Sequence, residues 1–294
     1  MFHGSIPALV TPFATDGAFD EAAYRDLVEW QIAEGSTGLV PCGTTGEAAT
    51  LSFAEHFGIV RVCVEQARGR VPVIAGAGSN DTRVAAANLA AAKEAGADAA
   101  LMVPPYYNRP SQDGIFQHFA ALAQTSALPI VLYNVPGRTV TDIQPATVAR
   151  IVTAFPDIFV AIKDATGALA RVSQHRATCG PRFAQLSGND DLALAFNAMG
   201  GVGCISVAAN VAPRLCAEFQ AACGRGDYAA ALTLQDKLYP LHDALFTDAS
   251  PGPVKHAMSR ARPGFPAALR LPMTAASDAS RAAVDAALAH AGLV

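Results

Sequence analysis

The chain has 294 residues, 51% of them hydrophobic and 16% charged, with a formal net charge of −4. That is enough apolar material for a large buried core, in one barrel-sized domain with an extension or in two ordinary domains. The slight acidity leaves no basic footprint for nucleic acid, and no apolar run approaches the ~18 residues that a membrane helix needs.

The amino-terminal stretch "MFHGSIPALVTPF" has neither a basic segment nor a long apolar one, so a cytoplasmic protein is expected. The first short apolar run lies within it, at residues 5–13. Further runs follow at 38–43, 71–78, 98–105, 129–136, 158–165, 182–188 and 201–207. Between them lie Ala-rich amphipathic stretches, such as 20–35 and 81–97. In the second of these, Asp81 is suited to cap a helix start and Gly96 to end it. Runs without polar alternation predict strands buried on both faces, and their spacing is that of βα units. Eight such units predict a (β/α)8 TIM barrel over residues 1–223. A doubly wound sheet would want G-x-G-x-x-G after its first strand, and that pattern is missing. From residue 224 to 294 the sequence reads as helices only, interrupted by "SPGP" and "RPGFP", and predicts a C-terminal helical extension.

The six cysteines are scattered without a C-x-x-C pair, as in a reduced protein. The seven histidines show no H-x-H or H-E-x-x-H spacing, so no metal site is expected.

Barrels of this kind place their chemistry where the strands end. The second run delivers "CGTTGE" (42–47), the fourth "PPYYNRP" (104–110), and the fifth "YNVPGRT" (133–139). The sixth ends on Lys163, the seventh on "SGND" (187–190), and the eighth on Ile205 and Ser206. Lysine is scarce, with only Lys93, Lys163, Lys237 and Lys255 in the chain. The helical patterns around Lys93 and Lys237 give solvated positions, and Lys255 after its proline turn also reads as a surface group. Lys163 alone ends a buried strand. Burial favours the neutral, nucleophilic form of an amine. Such an amine attacks a ketone to give an imine, an electron sink for carbanion chemistry. A tyrosine in hydrogen-bond reach suits the accompanying proton transfers.

The segments "VPCGTTGEAATL", "PPYYNRPSQDGIFQHF", "LYNVPGRT", "IKDATG", "ISVAANVAP" and "LRLPMT", in this order, resemble the dihydrodipicolinate synthase family, and the likeness runs end to end. That family belongs with the pyruvate-dependent class I aldolases and lyases, which include N-acetylneuraminate lyase. The resemblance implies condensation of pyruvate with L-aspartate 4-semialdehyde to give 4-hydroxy-tetrahydrodipicolinate, in the diaminopimelate route to lysine. No cofactor is implied beyond a covalent pyruvate imine on Lys163. It further implies that Tyr133 shuttles protons and that Thr45 links it to Tyr107, which crosses from a neighbouring subunit of a homodimer or homotetramer. The amides of Thr44 and Thr45 would hold the pyruvate carboxylate, Arg138 would receive the second substrate, and Ile205 and Gly188 would line the pocket. Asp164 stands where Glu is the commoner residue.

Feedback-inhibited members bind lysine in a cleft matched here by Ala48, Ala49, Phe53, His56, Asn80, Val84 and Tyr106. Val84 replaces a glutamate that would meet the effector's ammonium group, and Ala48 and Phe53 replace a hydroxyl and a polar ring. A vestigial, insensitive cleft is therefore expected. Two other readings differ in class. A sialic acid or keto-deoxy-sugar aldolase would need a pocket for a polyhydroxylated tail. A non-catalytic ligand-binding homologue would have no need of Lys163, Tyr133, Thr45 and Tyr107 together.

Overall fold

The computed structural model describes residues 2–294. Seven strands form one parallel sheet: β1 Gly4–Pro7, β2 Ile74–Gly76, β3 Ala99–Met102, β4 Ile130–Asn134, β5 Phe159–Asp164, β6 Ala184–Ser187 and β7 Gly203–Ser206. Their spatial order is β1-β7-β6-β5-β4-β3-β2, so the two ends of the sheet are β1 and β2. The run at 38–43 fills the gap between them, and the sheet closes into the barrel that the sequence predicts.

That closing segment is held by isolated bridges, Ala8 to Val40 on one side and Leu39 to Val73 on the other, both parallel. The sequence reading expects a full strand there, and three prolines explain the difference. Pro7, Pro41 and Pro72 have no N–H to donate. They serve as acceptors instead, from Val40 N (3.0 Å), Gly76 N (3.0 Å) and Leu39 N (2.9 Å) respectively. The ladder is thus interrupted on both flanks without losing register.

Strand parity divides the apolar residues into two layers. Ile6, Val40, Ile74, Leu101, Val131, Ala161, Leu186 and Ile205 fill the barrel interior together with Tyr133. Their neighbours Leu39, Val73, Ala100, Leu132, Ile162 and Cys204 face outward into the core shared with the helices. Tyr133 and Lys163 have the same parity as Val131 and Ala161, so both side chains are directed inward.

The helices are α1 Glu21–Ala33, α2 Phe53–Ala67, α3 Thr82–Glu94, α4 Gln112–Thr125, α5 Pro136–Thr139, α6 Pro145–Ala154, α7 Ala170–Cys179, α8 Ala193–Ala198, α9 Pro213–Gly224, α10 Tyr228–Ala244, α11 Gly252–Ala261 and α12 Asp278–Ala291. Local signals set their ends. Asp81 accepts from Arg83 N at the start of α3, and Gly96 takes φ +87° just beyond its end. Ser52 and Glu55 form a reciprocal capping box on α2, worth about 1 kcal/mol. The "SPGP" stretch does not interrupt the extension so much as start α11, whose first turn it supplies. The stretch after Ala261 is a non-helical strap that reaches Ser277. Among the described residues no helix is long and apolar enough to cross a membrane, and all six cysteines are free.

His118, on α4, is 3% exposed and meets Thr82 Oγ1 through Nδ1 at 2.9 Å. Burial pushes its imidazole down from 6.5 to about 4. The folded protein therefore keeps it neutral while the unfolded chain takes up a proton below pH 6.5. Stability present above that pH is lost as pH falls toward 4, by up to about 3 kcal/mol from this group. Burial also lowers His56, His175 and His242, so their contributions have the same sign. Urea midpoints measured from pH 7 to 4.5 should fall, and His118→Gln should flatten the decline.

Candidate active site

The barrel's C-terminal rim is built from four segments. The first is the loop after the closing segment, where Cys42 (φ +53°) and Glu47 (φ +55°) both adopt the left-handed conformation. Its path needs Gly76, since a Cβ there would lie 2.1 Å from the Cys42 carbonyl oxygen. Thr11 Oγ1 donates to Gly46 O at 2.7 Å, and Glu47 N to Thr44 O at 3.1 Å. Among the described residues, the amides of Thr44 and Thr45 have no acceptor in the protein. Two adjacent N–H groups left without an acceptor have the chemistry to receive an anion.

The second and third segments are β4 and β5, which place Tyr133 and Lys163 directly opposite each other as register partners. Lys163 is 4% exposed and Tyr133 is 8% exposed. The Lys163 Nζ stands 4.3 Å from the centroid of the Tyr133 ring, and Lys163 forms no ion pair among the described residues. A buried amine with an aromatic face beside it and no carboxylate partner is free to react. Asp164 points the other way, and its Oδ1 accepts from Thr166 N (2.8 Å) and Thr166 Oγ1 (2.6 Å).

The short turn α5 follows β4 and carries Arg138, which is exposed and makes no ion pair among the described residues. A rigid brace sits beneath it. Thr139 Oγ1 donates to Val135 O and Thr141 O, and Thr141 Oγ1 to Pro105 O. Asp142 receives Asn134 Nδ2 at 2.8 Å and a bidentate contact from Arg171 at 2.7 and 2.6 Å. Burial works to raise the Asp142 carboxyl, but the Arg171 and Asn134 hydrogen bonds outweigh it and hold it below its usual value.

The fourth segment follows β6. Gly188 donates to Asp164 O at 2.7 Å, and a Cβ in its place would lie 2.7 Å from Ala165 Cβ.

A cavity of about 390 Å³ is lined by Thr44, Thr45, Tyr133, Arg138, Lys163 and Gly188. The structure thus brings six of the eight expected catalytic and substrate-binding residues together. Ile205 lies in the barrel interior, fully buried and packed in the same cluster as Tyr133. Tyr107 does not reach the cavity. It takes φ +72° and is 89% exposed, projecting away from its own barrel.

A second cavity of about 630 Å³ shares Thr44, Tyr133 and Arg138 with the first. Ala48, Ala49, Phe53, His56, Val84 and Tyr106, which the sequence reading groups together, all line it. Asn80 does not, and its carbonyl oxygen accepts from Asn108 Nδ2; Ser79 and Asn88 provide polar lining instead. The sequence reading missed that the extension walls the first cavity, through Tyr239, His242 and Asp243 of α10. It also misplaced Lys255, expected at the surface. That residue is 0% exposed and pairs with Glu47 Oε1 at 2.5 Å. A buried carboxylate holds it inside, and nothing near Lys255 in the sequence announces that partner.

Fold and site together define a (β/α)8-barrel protein whose rim gathers one buried lysine, a facing tyrosine and an amide cradle. The chain belongs to the dihydrodipicolinate synthetase family, whose model matches residues 1–291. It is 67% identical over 293 residues to the 4-hydroxy-tetrahydrodipicolinate synthase of Rhizorhabdus wittichii, covering 100% of both chains. It is 64% identical to the Novosphingobium aromaticivorans enzyme of the same name, over 100% of this chain and 99% of that one. Among solved structures it resembles the dihydrodipicolinate synthase of Acinetobacter baumannii, described as chloride-inhibited and complexed with pyruvate. The two share 41% identity and a TM-score of 0.96, with 100% of each chain covered.

Proposed function

We propose that this chain joins pyruvate to L-aspartate 4-semialdehyde, giving 4-hydroxy-tetrahydrodipicolinate and water through an imine on Lys163. The observation that carries the reading is the unpaired Lys163 amine, buried against Tyr133 and open to the cavity. The pyruvate carboxylate docks on the Thr44 and Thr45 amides, which leaves C2 facing Nζ. Attack by Nζ at C2 and loss of water form the imine, with Tyr133 moving the protons. Removal of a C3 proton gives an enamine, which attacks the aldehyde carbon of the second substrate. The amino group of that substrate then attacks the imine carbon, closing the ring and releasing Lys163. Arg138 meets the second substrate's carboxylate at the mouth. Tyr107 completes the proton relay of a neighbouring copy in a dimer or tetramer, for which its exposure is suited.

Curated relatives at 54–67% identity all carry the same enzyme name, which favours this reading over a sugar-acid aldolase or a ligand-binding homologue. Borohydride reduction in the presence of pyruvate, followed by peptide mapping, tests it. The adduct belongs on Lys163, and among a panel of aldehydes aspartate semialdehyde should be the preferred acceptor. A label on another lysine, or none, refutes the mechanism.

The second cavity offers a lysine ligand no free carboxylate: Glu47, which lines it, is already held by Lys255 and the Arg270 amide. Val84 is 47% exposed in its lining. Two further acids close by are engaged elsewhere: Asp81 caps α3 and meets Arg83, and Glu55 binds Arg270 at 2.6 Å. The Arg270 hydrogen bond, aided by the Ser52 amide, holds Glu55 down at about 2, so it is ionised but spent. One missing charged hydrogen bond costs about 1.5–3 kcal/mol, or 10- to 100-fold in affinity. Millimolar lysine should therefore leave the rate nearly unchanged in a coupled assay, and saturable inhibition would overturn this expectation.

A further inference from the structure

Among the described residues, one ion pair has both side chains sealed from water. Lys255 and Glu47 are 0% and 1% exposed at their side chains, with Nζ and Oε1 2.5 Å apart. Lys255 Nζ also donates to Ala268 O at 2.6 Å and sits 4.4 Å from the Phe13 ring centroid. The other carboxylate oxygen of Glu47 accepts from Arg270 N at 3.0 Å. The Arg270 guanidinium continues the junction to Gly17 O, Thr50 O and Glu55. Both oxygens of Glu47 are thus gripped by the extension.

Glu47 is also the last residue of the amide-cradle loop. Its left-handed φ of +55° is uncommon outside glycine, Asn and Asp, and persists where surroundings enforce it. Its own N–H returns to Thr44 O, and Gly46 N to Gly43 O. A change of backbone angle at Glu47 therefore propagates into Thr44 and Thr45. Lys255 lines neither of the two rim cavities, so it can affect a ligand there only through this chain of contacts.

We propose that Lys255 is a positioning residue for the keto acid: by clamping Glu47 it fixes the loop so that the Thr44 and Thr45 amides face the cavity. The inference rests on the reading that those amides receive the pyruvate carboxylate. It makes the extension a working part of the site, beyond the wall that α10 contributes.

The test compares Lys255→Met, Glu47→Gln and the double variant in the full chain. Three quantities are read: Tm, the pyruvate concentration that half-saturates borohydride trapping on Lys163, and kcat. Each single variant leaves a bare buried group and should lower Tm, whereas the double variant leaves no unpaired charge and should regain most of the loss. The half-saturating pyruvate concentration should nevertheless stay about 10-fold or more above that of the parent in the double variant, with kcat falling by less than that factor. If half-saturation returns with Tm to within about 2-fold of the parent, the pair is merely structural and the inference is wrong. Should the double variant fail to fold, Glu47→Gln decides, because it keeps the side-chain shape and the Arg270 contact: a normal half-saturation there is equally fatal. A parent protein that forms no adduct at all would instead defeat the underlying functional reading.

Discussion

Lys163→Ala is expected to lower turnover by at least about 10³-fold, because among the described residues no other lysine lines the cavity and covalent catalysis has no substitute route. Lys93 and Lys237 are exposed on helices, and Lys255 is locked to Glu47. The same variant should give no borohydride-stable adduct with pyruvate by intact-protein mass. Its fold should survive, since Lys163 has no ion-pair partner to orphan. The space it leaves is bordered by Ala161 and Leu186, both already packed in the barrel interior. Lys163→Arg should be as inactive as the alanine variant, because a guanidinium stays charged and is no nucleophile at neutral pH. Activity within tenfold of the parent in either variant would remove Lys163 from the mechanism.

Arg138→Ala should separate the two substrates. Its guanidinium projects from a turn held by Thr139, Thr141 and the Asp142–Arg171 pair, so removing the side chain leaves that brace intact. Losing one charge-assisted carboxylate contact costs about 1.5–3 kcal/mol. That corresponds to a loss of 10- to 100-fold in kcat/KM for aspartate semialdehyde. Trapping of pyruvate on Lys163 should remain within about 2-fold of the parent, because the Thr44 and Thr45 amides lie on a different loop. Equal damage to both measurements would show that Arg138 shapes the turn rather than meeting a substrate.

The apolar runs disclosed seven strands because strands buried on both faces cannot hide their composition. The same parity that makes Val131 and Ala161 interior residues carries Tyr133 and Lys163 inward, and it was the family resemblance that had joined the two in the sequence. The closing segment was harder. Its hydrophobicity was plain, but the effect of Pro7, Pro41 and Pro72 depends on their meeting at one seam, which only the closed barrel brings about. Lys255 was misread for a related reason. Val254, Ala257 and Met258 around it are all fully buried, a periodicity that could have warned of an inward face. The carboxylate that permits burial of the charge lies about 200 residues earlier in the chain, and sequence spacing carries no trace of such a partner. Tyr107 shows the opposite limit: its expected partner is a second copy of the chain, and one chain leaves it in solvent.

The seam is stitched by bridges and lacks the N–H donors of Pro7, Pro41 and Pro72, so its local opening breaks fewer hydrogen bonds than that of a full strand would. The loop that carries Thr44 and Thr45 hangs from that same segment, so breathing at Leu39 and Val40 and loosening of the cradle are one motion. By linkage, a carboxylate held on those amides must tighten the seam by the free energy with which it prefers the closed form. The stitch that lacks its proline donors is thereby the one that an occupied site mends, and the empty protein is the form more open to isotope exchange along residues 37–40.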